Sequence, residues 1–141
     1  MSKEKLSTII KEYGDYEDSF EGQSPITEKH CVMYILVNKS IKLSSGKIAS
    51  QVGHAVQKTT QRCMNTSKWG TYIYAGMPKI VLKVTTEEQF IAILDQTKKI
   101  NKSYVVDEGR TQCASGTLTA VGYDPLYEDE IPDCIKKLSL Y

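Results

Sequence analysis

Cys31-Val32-Met33-Tyr34-Ile35-Leu36-Val37-Asn38, followed by Lys42-Leu43-Ser44-Ser45-Gly46-Lys47-Ile48-Ala49-Ser50-Gln51-Val52-Gly53-His54-Ala55, reads as a strand handed to a helix. The first run is short, apolar and rich in β-branched and aromatic residues, the pattern of a buried strand. In the second, Ser44 or Ser45 can cap a helix, because a hydroxyl accepts from the free N–H groups of the first turn. Placing Lys47 at zero on a wheel of about 100° per residue puts Gln51 near 40°, His54 near −20° and Lys58 near 20°. Ile48, Val52, Ala55, Val56 and Thr59 then centre near about 120° and form the expected core side. The other side gathers cations, an amide and an imidazole, with no carboxylate anywhere from Lys39 to Lys83.

Outward from this unit, strand and helix keep alternating. The first helix is expected to run to about Met64. Trp69 to Met77 reads as a loop or short helix, and Pro78 to Val84 as a second strand. Thr85 followed by Glu88 has the spacing of a capping box, ahead of Phe90, Ile91, Leu94 and Thr97 at helical intervals. Ser103 to Val106 is a third strand with Asp107-Glu108-Gly109-Arg110 as its turn. Thr117 to Tyr123 is a fourth, ended by Asp124-Pro125 because proline cannot donate to a ladder. Residues 126–134 read as an acidic loop or short helix, and Lys136 to Tyr141 is too short to assign. Such alternation predicts an α/β domain, with a mostly parallel or mixed sheet and helices packed on its faces. Residues 1–29 read as a polar N-terminal extension, with a short helix over Ser7 to Tyr13, and 30–141 as the domain.

Composition narrows the function classes. A chain of 141 residues is long enough for one domain with a sizeable core. No apolar segment approaches the ~20 residues that cross a bilayer, and the N-terminus has no signal-peptide apolar region, so the expectation is no membrane and a cytoplasmic location. Cys31, Cys63, Cys113 and Cys134 form no C-x-x-C pair and read as reduced structural thiols. With only His30 and His54 beside them, a metal site is not expected, and no P-loop or Gly-x-Gly-x-x-Gly cofactor fingerprint is present. The net charge of +1 hides an asymmetry. Residues 31–105 carry eleven basic side chains against three carboxylates, whereas residues 1–30 carry four against seven and residues 106–141 three against seven. A basic centre suits an anionic partner such as phosphate, or is a solvated lysine-rich surface.

Two constellations bear chemistry. In an α/β sheet, ligands sit beyond the carboxyl ends of strands, which is where the start of the first helix and Asp107 both fall. The helix N-terminus near Gly46, with Lys42 and Lys47, suits a phosphate or a developing oxyanion. In Asp107-Glu108-Gly109-Arg110-Thr111-Gln112, Asp107 can act as a base on water or orient a lysine. Gly109 allows the positive φ of a tight turn, and Arg110 can fork onto a phosphate or simply pair within the turn. His54 reads equally as a base or as a hydrogen-bonded structural histidine. Trp69, Tyr72 and Tyr74 can stack on bases, but core packing is the commoner use.

The order of three blocks is more specific than any one of them. Lys42 and Gly46-Lys47-Ile48-Ala49-Ser50-Gln51 with His54-Ala55, then Gly76-Met77-Pro78-Lys79-Ile80-Val81-Leu82-Lys83, then Asp107 to Gln112 with Thr119 beyond, resemble the type 2 peptidyl-tRNA hydrolase family. The resemblance covers about residues 31–141. It implies a four-stranded mixed sheet and hydrolysis of the ester joining a peptide to the 3′-terminal ribose of tRNA. It also implies roles. Asp107, with Thr119, handles the water, and Lys47, with Lys42, stabilises the oxyanion. Gln51 and His54 orient the ester or terminal adenosine. Lys79, Lys83, Arg110, Thr111 and Gln112 contact the substrate. Peptidyl-tRNA is the implied partner, and a homodimer is expected by resemblance alone. Asn38 and Ser40 stand where members often carry Arg and Asp, and Glu108 where Ala is usual. The alternative from another class is a non-catalytic tRNA- or protein-binding module on the same fold.

Overall fold

The computed structural model describes Thr8, residues 30–109 and residues 116–141. The extension expected over 1–29, and its helix, thus lie outside the described residues apart from Thr8, as do Arg110, Thr111, Gln112 and Cys113.

The elements follow the predicted alternation: β1 (Cys31–Asn38), α1 (Ser45–Cys63), α2 (Ser67–Tyr74), β2 (Lys79–Val84), α3 (Glu87–Gln96), β3 (Lys102–Asp107), β4 (Thr117–Tyr123), β5 (Leu126–Tyr127) and α4 (Asp133–Lys136). The main sheet has strand order β2-β1-β4-β3, and β5 pairs with the start of β1. β1 and β2 run parallel, while β1–β4 and β3–β4 are antiparallel, so the sheet is mixed. β1 is central and covered on both faces, which is why it is almost continuously apolar. One face buries Leu36, Leu82, Val84, Phe90, Ile93, Val121, Tyr123 and Ile135 beneath α3 and α4. The other buries Cys31, Met33, Ile35, Ala55, Tyr72, Val105 and Ala120 beneath α1 and α2.

Some local expectations shift. The cap of α3 is Thr86, not Thr85. The Thr86 hydroxyl accepts from Gln89 N at 3.1 Å, so the cap sits one residue later than the Thr-Glu spacing suggested, and the box is not closed, because the Gln89 side chain accepts from Thr85 N, the residue before the cap, at 3.2 Å. Trp69 to Met77 is a short helix as expected, most of α2 and the turn after it, with Tyr72 fully buried. Asp107 is the last residue of β3 instead of the first of a turn. The C-terminal residues lie along the outer edge of β2, where Tyr141 N donates to Val81 O and Lys83 N to Ser139 O, each at 3.0 Å. The outer edge of β2 is therefore covered by backbone, whereas at edge strand β3 the Tyr104 carbonyl accepts from a side chain, Lys58 Nζ, at 2.6 Å.

Gly122 fixes how closely α1 packs. A Cβ there would lie 2.5 Å from Thr59 Oγ1 and 3.0 Å from the Ala55 carbonyl oxygen, so the missing side chain lets the helix settle onto β4. Cys31 and Cys63 are free and buried, and burial pushes both thiols up to about 11, as suits structural thiols.

Candidate active site

α1 begins where Ser44 Oγ accepts from Lys47 N at 3.2 Å, and its first turn contains no acidic residue. The partial positive end of the helix is thus unneutralised locally. Residues at intervals of three and four along it, Lys47, Ser50, Gln51, His54 and Lys58, form one wall of a cleft. Val105, Val106, Asp107 and Glu108 of β3 and the following turn form the other, around a cavity of about 470 Å³. The walls meet where Lys47 Nζ donates to Asp107 Oδ1 at 2.5 Å. The second Asp107 oxygen accepts from Gly109 N at 2.8 Å, and Gly109 adopts the positive φ (78°) that its turn requires. Asp107 is only 7% exposed and Lys47 14%, so the pair is desolvated on the protein side and open on the cleft side.

Behind this wall stands Thr119, wholly buried, whose hydroxyl donates to Gln51 Oε1 at 2.5 Å and approaches Val105 O at 3.2 Å. Its orientation comes from a β-bulge. β3 and β4 pair Val105 with Ala120 but Val106 with Leu118, leaving Thr119 as the extra residue. Without that insertion, strict alternation would turn Leu118 toward α1 and Thr119 toward α3. The structure does the reverse, because Leu118 packs with the α3-side core.

Lys47, Gln51, His54 and Asp107 are therefore brought together, with Thr119 one layer behind. Gln51 corrects the helical wheel. It is 3% exposed and belongs to the buried ridge Gln51, Ala55, Thr59 and Cys63, because Thr119 supplies a partner that a single helix cannot reveal. His54 is exposed on the cleft, and its ring makes no hydrogen bond to a described residue. Lys42 is exposed on the loop before α1 and does not line the cleft. Lys83 lies on β2 away from the cleft. Lys79, opposite Met33 near the start of β1, lies toward the other end of the sheet, where it donates to Met77 O at 2.8 Å. The sequence reading missed Ser50 and the apolar Val105–Val106 wall. Ser50 was findable, three residues after Lys47 and four before His54.

The model of the family described as Peptidyl-tRNA hydrolase PTH2 matches residues 31–141. The chain belongs to the type 2 peptidyl-tRNA hydrolase family. Among members similar to it, the peptidyl-tRNA hydrolase of Metallosphaera sedula is 32% identical over 114 residues, covering 77% of this chain and 97% of that protein. The human mitochondrial peptidyl-tRNA hydrolase 2 is 36% identical over 114 residues, 77% of this chain and 63% of its own length. The bovine counterpart is 34% identical over 143 residues, 98% of this chain and 71% of its own. For this family member, no group of three or more His, Cys, Asp or Glu side chains suited to a metal occurs among the described residues. No helix of the described residues is long and apolar enough to cross a membrane.

Proposed function

We propose that this enzyme hydrolyses peptidyl-tRNA in the cleft between α1 and β3. Family membership carries the activity, and the Lys47–Asp107 pair on an open cavity carries the assignment of the site. Water adds to the ester carbonyl, and the resulting oxyanion is matched by the Lys47 ammonium and the N-terminal end of α1. Asp107, whose oxygens are already fixed by Lys47 and Gly109, holds the water and takes up its proton. The bond to the ribose 3′ oxygen then breaks, giving a peptide carboxylate and, with the proton returned, the free tRNA hydroxyl.

Gln51 presents its amide to the ester, and Thr119 acts through Gln51 as a positioning residue. His54 and Lys58 sit on the same helix face and offer contacts to the terminal nucleotide. Lys42 lies off the cleft and leaves the oxyanion to Lys47; with Lys79, Lys83, Arg110, Thr111 and Gln112 it serves in this reading as a contact to the phosphates and ribose of the substrate. A homodimer and a cytoplasmic site of action are part of the same proposal.

The test is turnover of an N-acetylated aminoacyl-tRNA at several salt concentrations. Release of the N-acetyl amino acid, with KM rising steeply as salt increases, is the expected result. Binding of the charged tRNA without ester loss would move the chain to the non-catalytic module.

A further inference from the structure

We infer that Asn38 is a positioning residue for this reaction, clamping the β4 bulge that aims Thr119 at Gln51. The inference rests on the site proposed above. The β1–β4 ladder runs Ile35–Gly122, Leu36–Val121, Val37–Ala120 and stops there, although β1 continues to Asn38. The next residue across is Thr119, the extra residue of the bulge. Asn38 replaces the missing ladder contact with its side chain, Nδ2 donating to the Leu118 carbonyl at 2.8 Å.

The opposite end of that amide is fixed as firmly. Asn38 Oδ1 accepts from Ser40 N at 3.0 Å and from Ser40 Oγ at 2.5 Å. The reversed amide would set its NH₂ against the Ser40 N–H, so these partners determine its orientation. Asn38 is 9% exposed and borders a cavity that Phe90 and Leu94 also line, on the α3 side of the sheet. Gln51 holds the same bulge from the α1 side. One extra residue in a strand is thus gripped from both faces, and Ser40 ties the grip to the loop that leads into α1 and Lys47. Loosening the Asn38 side allows the register to relax toward strict alternation, which turns Thr119 away from the cleft.

Steady-state kinetics on N-acetylated aminoacyl-tRNA test this with Asn38→Asp, Asn38→Ala, Thr119→Val and the two double variants. Asn38→Asp sets a carboxylate oxygen against the Leu118 carbonyl. Each Asn38 variant is expected to lower kcat by about tenfold or more, with KM within about twofold, since ångström misplacement acts on the chemical step. In the Thr119→Val background, the Asn38 substitutions should cost little further. Losses that multiply in the double variants, or that fall on KM, overturn the clamp. A Thr119→Val enzyme with undiminished kcat instead overturns the role given to Thr119 in the proposed site. If both Asn38 variants fail to fold, Ser40→Ala removes only the hydroxyl brace and enters the same cycle, where multiplying losses again count against the clamp.

Discussion

α1 makes an ion pair near each end, and the two are built differently. At its start, Lys47 meets Asp107, the partners 14% and 7% exposed, on a cleft shared with Gln51 and His54. At its finish, Arg62 faces Asp124, the partners 35% and 19% exposed, and Arg62 Nε also donates to Ser103 Oγ at 3.2 Å. The guanidinium spreads across β3 and the end of β4, whereas the ammonium is a point charge aimed at one oxygen. A buried pair often fails to repay its desolvation, and α1 is already docked by Ala55, Thr59 and the gap at Gly122. The more buried pair is therefore the poorer fastener, and its cost is explained by chemistry. The more exposed pair pins the helix end to the sheet.

Substitutions at the cleft end should produce the largest effects. Asp107→Asn keeps the shape, removes the charge that holds Lys47 and removes the base, so kcat should fall by about 10³-fold or more. Lys47→Met retains the length of the side chain without its charge and should cost about 10²–10³-fold in kcat. Single-turnover ester cleavage measures both, and circular dichroism checks that the fold survives. A near wild-type rate for either variant would break the contrast between the two ends.

Gly122→Ala strikes the middle of the helix, where no charge is involved. Its Cβ would collide with Thr59 Oγ1 and crowd the Ala55 carbonyl, so the strand or the helix must shift. A loss of about 1–3 kcal/mol in urea unfolding is expected, in the range of overpacking. This close approach was not legible in the sequence, where Gly122 is one small residue in an apolar strand. Periodicity within one element was legible, so the β1–α1 unit and a shared sheet end for the start of the first helix and Asp107 could be read from pattern, whereas the Lys47–Asp107 contact itself emerges only in the structure. Features created by pairing between elements were not. The bulge exists only as a mismatch between β3 and β4, and the burial of Gln51 depends on a threonine 68 residues away. The ester chemistry itself came from resemblance, since Lys and Asp at a sheet end suit many reactions.

The smallest effect belongs to the far end of α1. Arg62→Ala removes an ion pair that is not aligned as a hydrogen bond to Asp124 Oδ1, together with the contact to Ser103. Arg62 is about one-third exposed, so solvent screens the pair and the expected loss is under about 1 kcal/mol. The nearby Cys63 gives a second readout. Its thiol is held up to about 11 chiefly by burial, with the Asp124 charge raising it further and Arg62 opposing. Removing Arg62 lets the Asp124 charge act unopposed, while fraying of the helix end would expose the sulfur and lower its pKa toward the ordinary value. These outcomes have opposite signs in a thiol-alkylation rate measured at pH 8.5 to 9.5. If Arg62 is a clasp of modest worth, kcat stays unchanged and alkylation of Cys63 quickens through fraying. Slower alkylation would mean that the helix end stays seated without Arg62, and that packing around Cys63 and Thr59, not the ion pair, holds this end of α1.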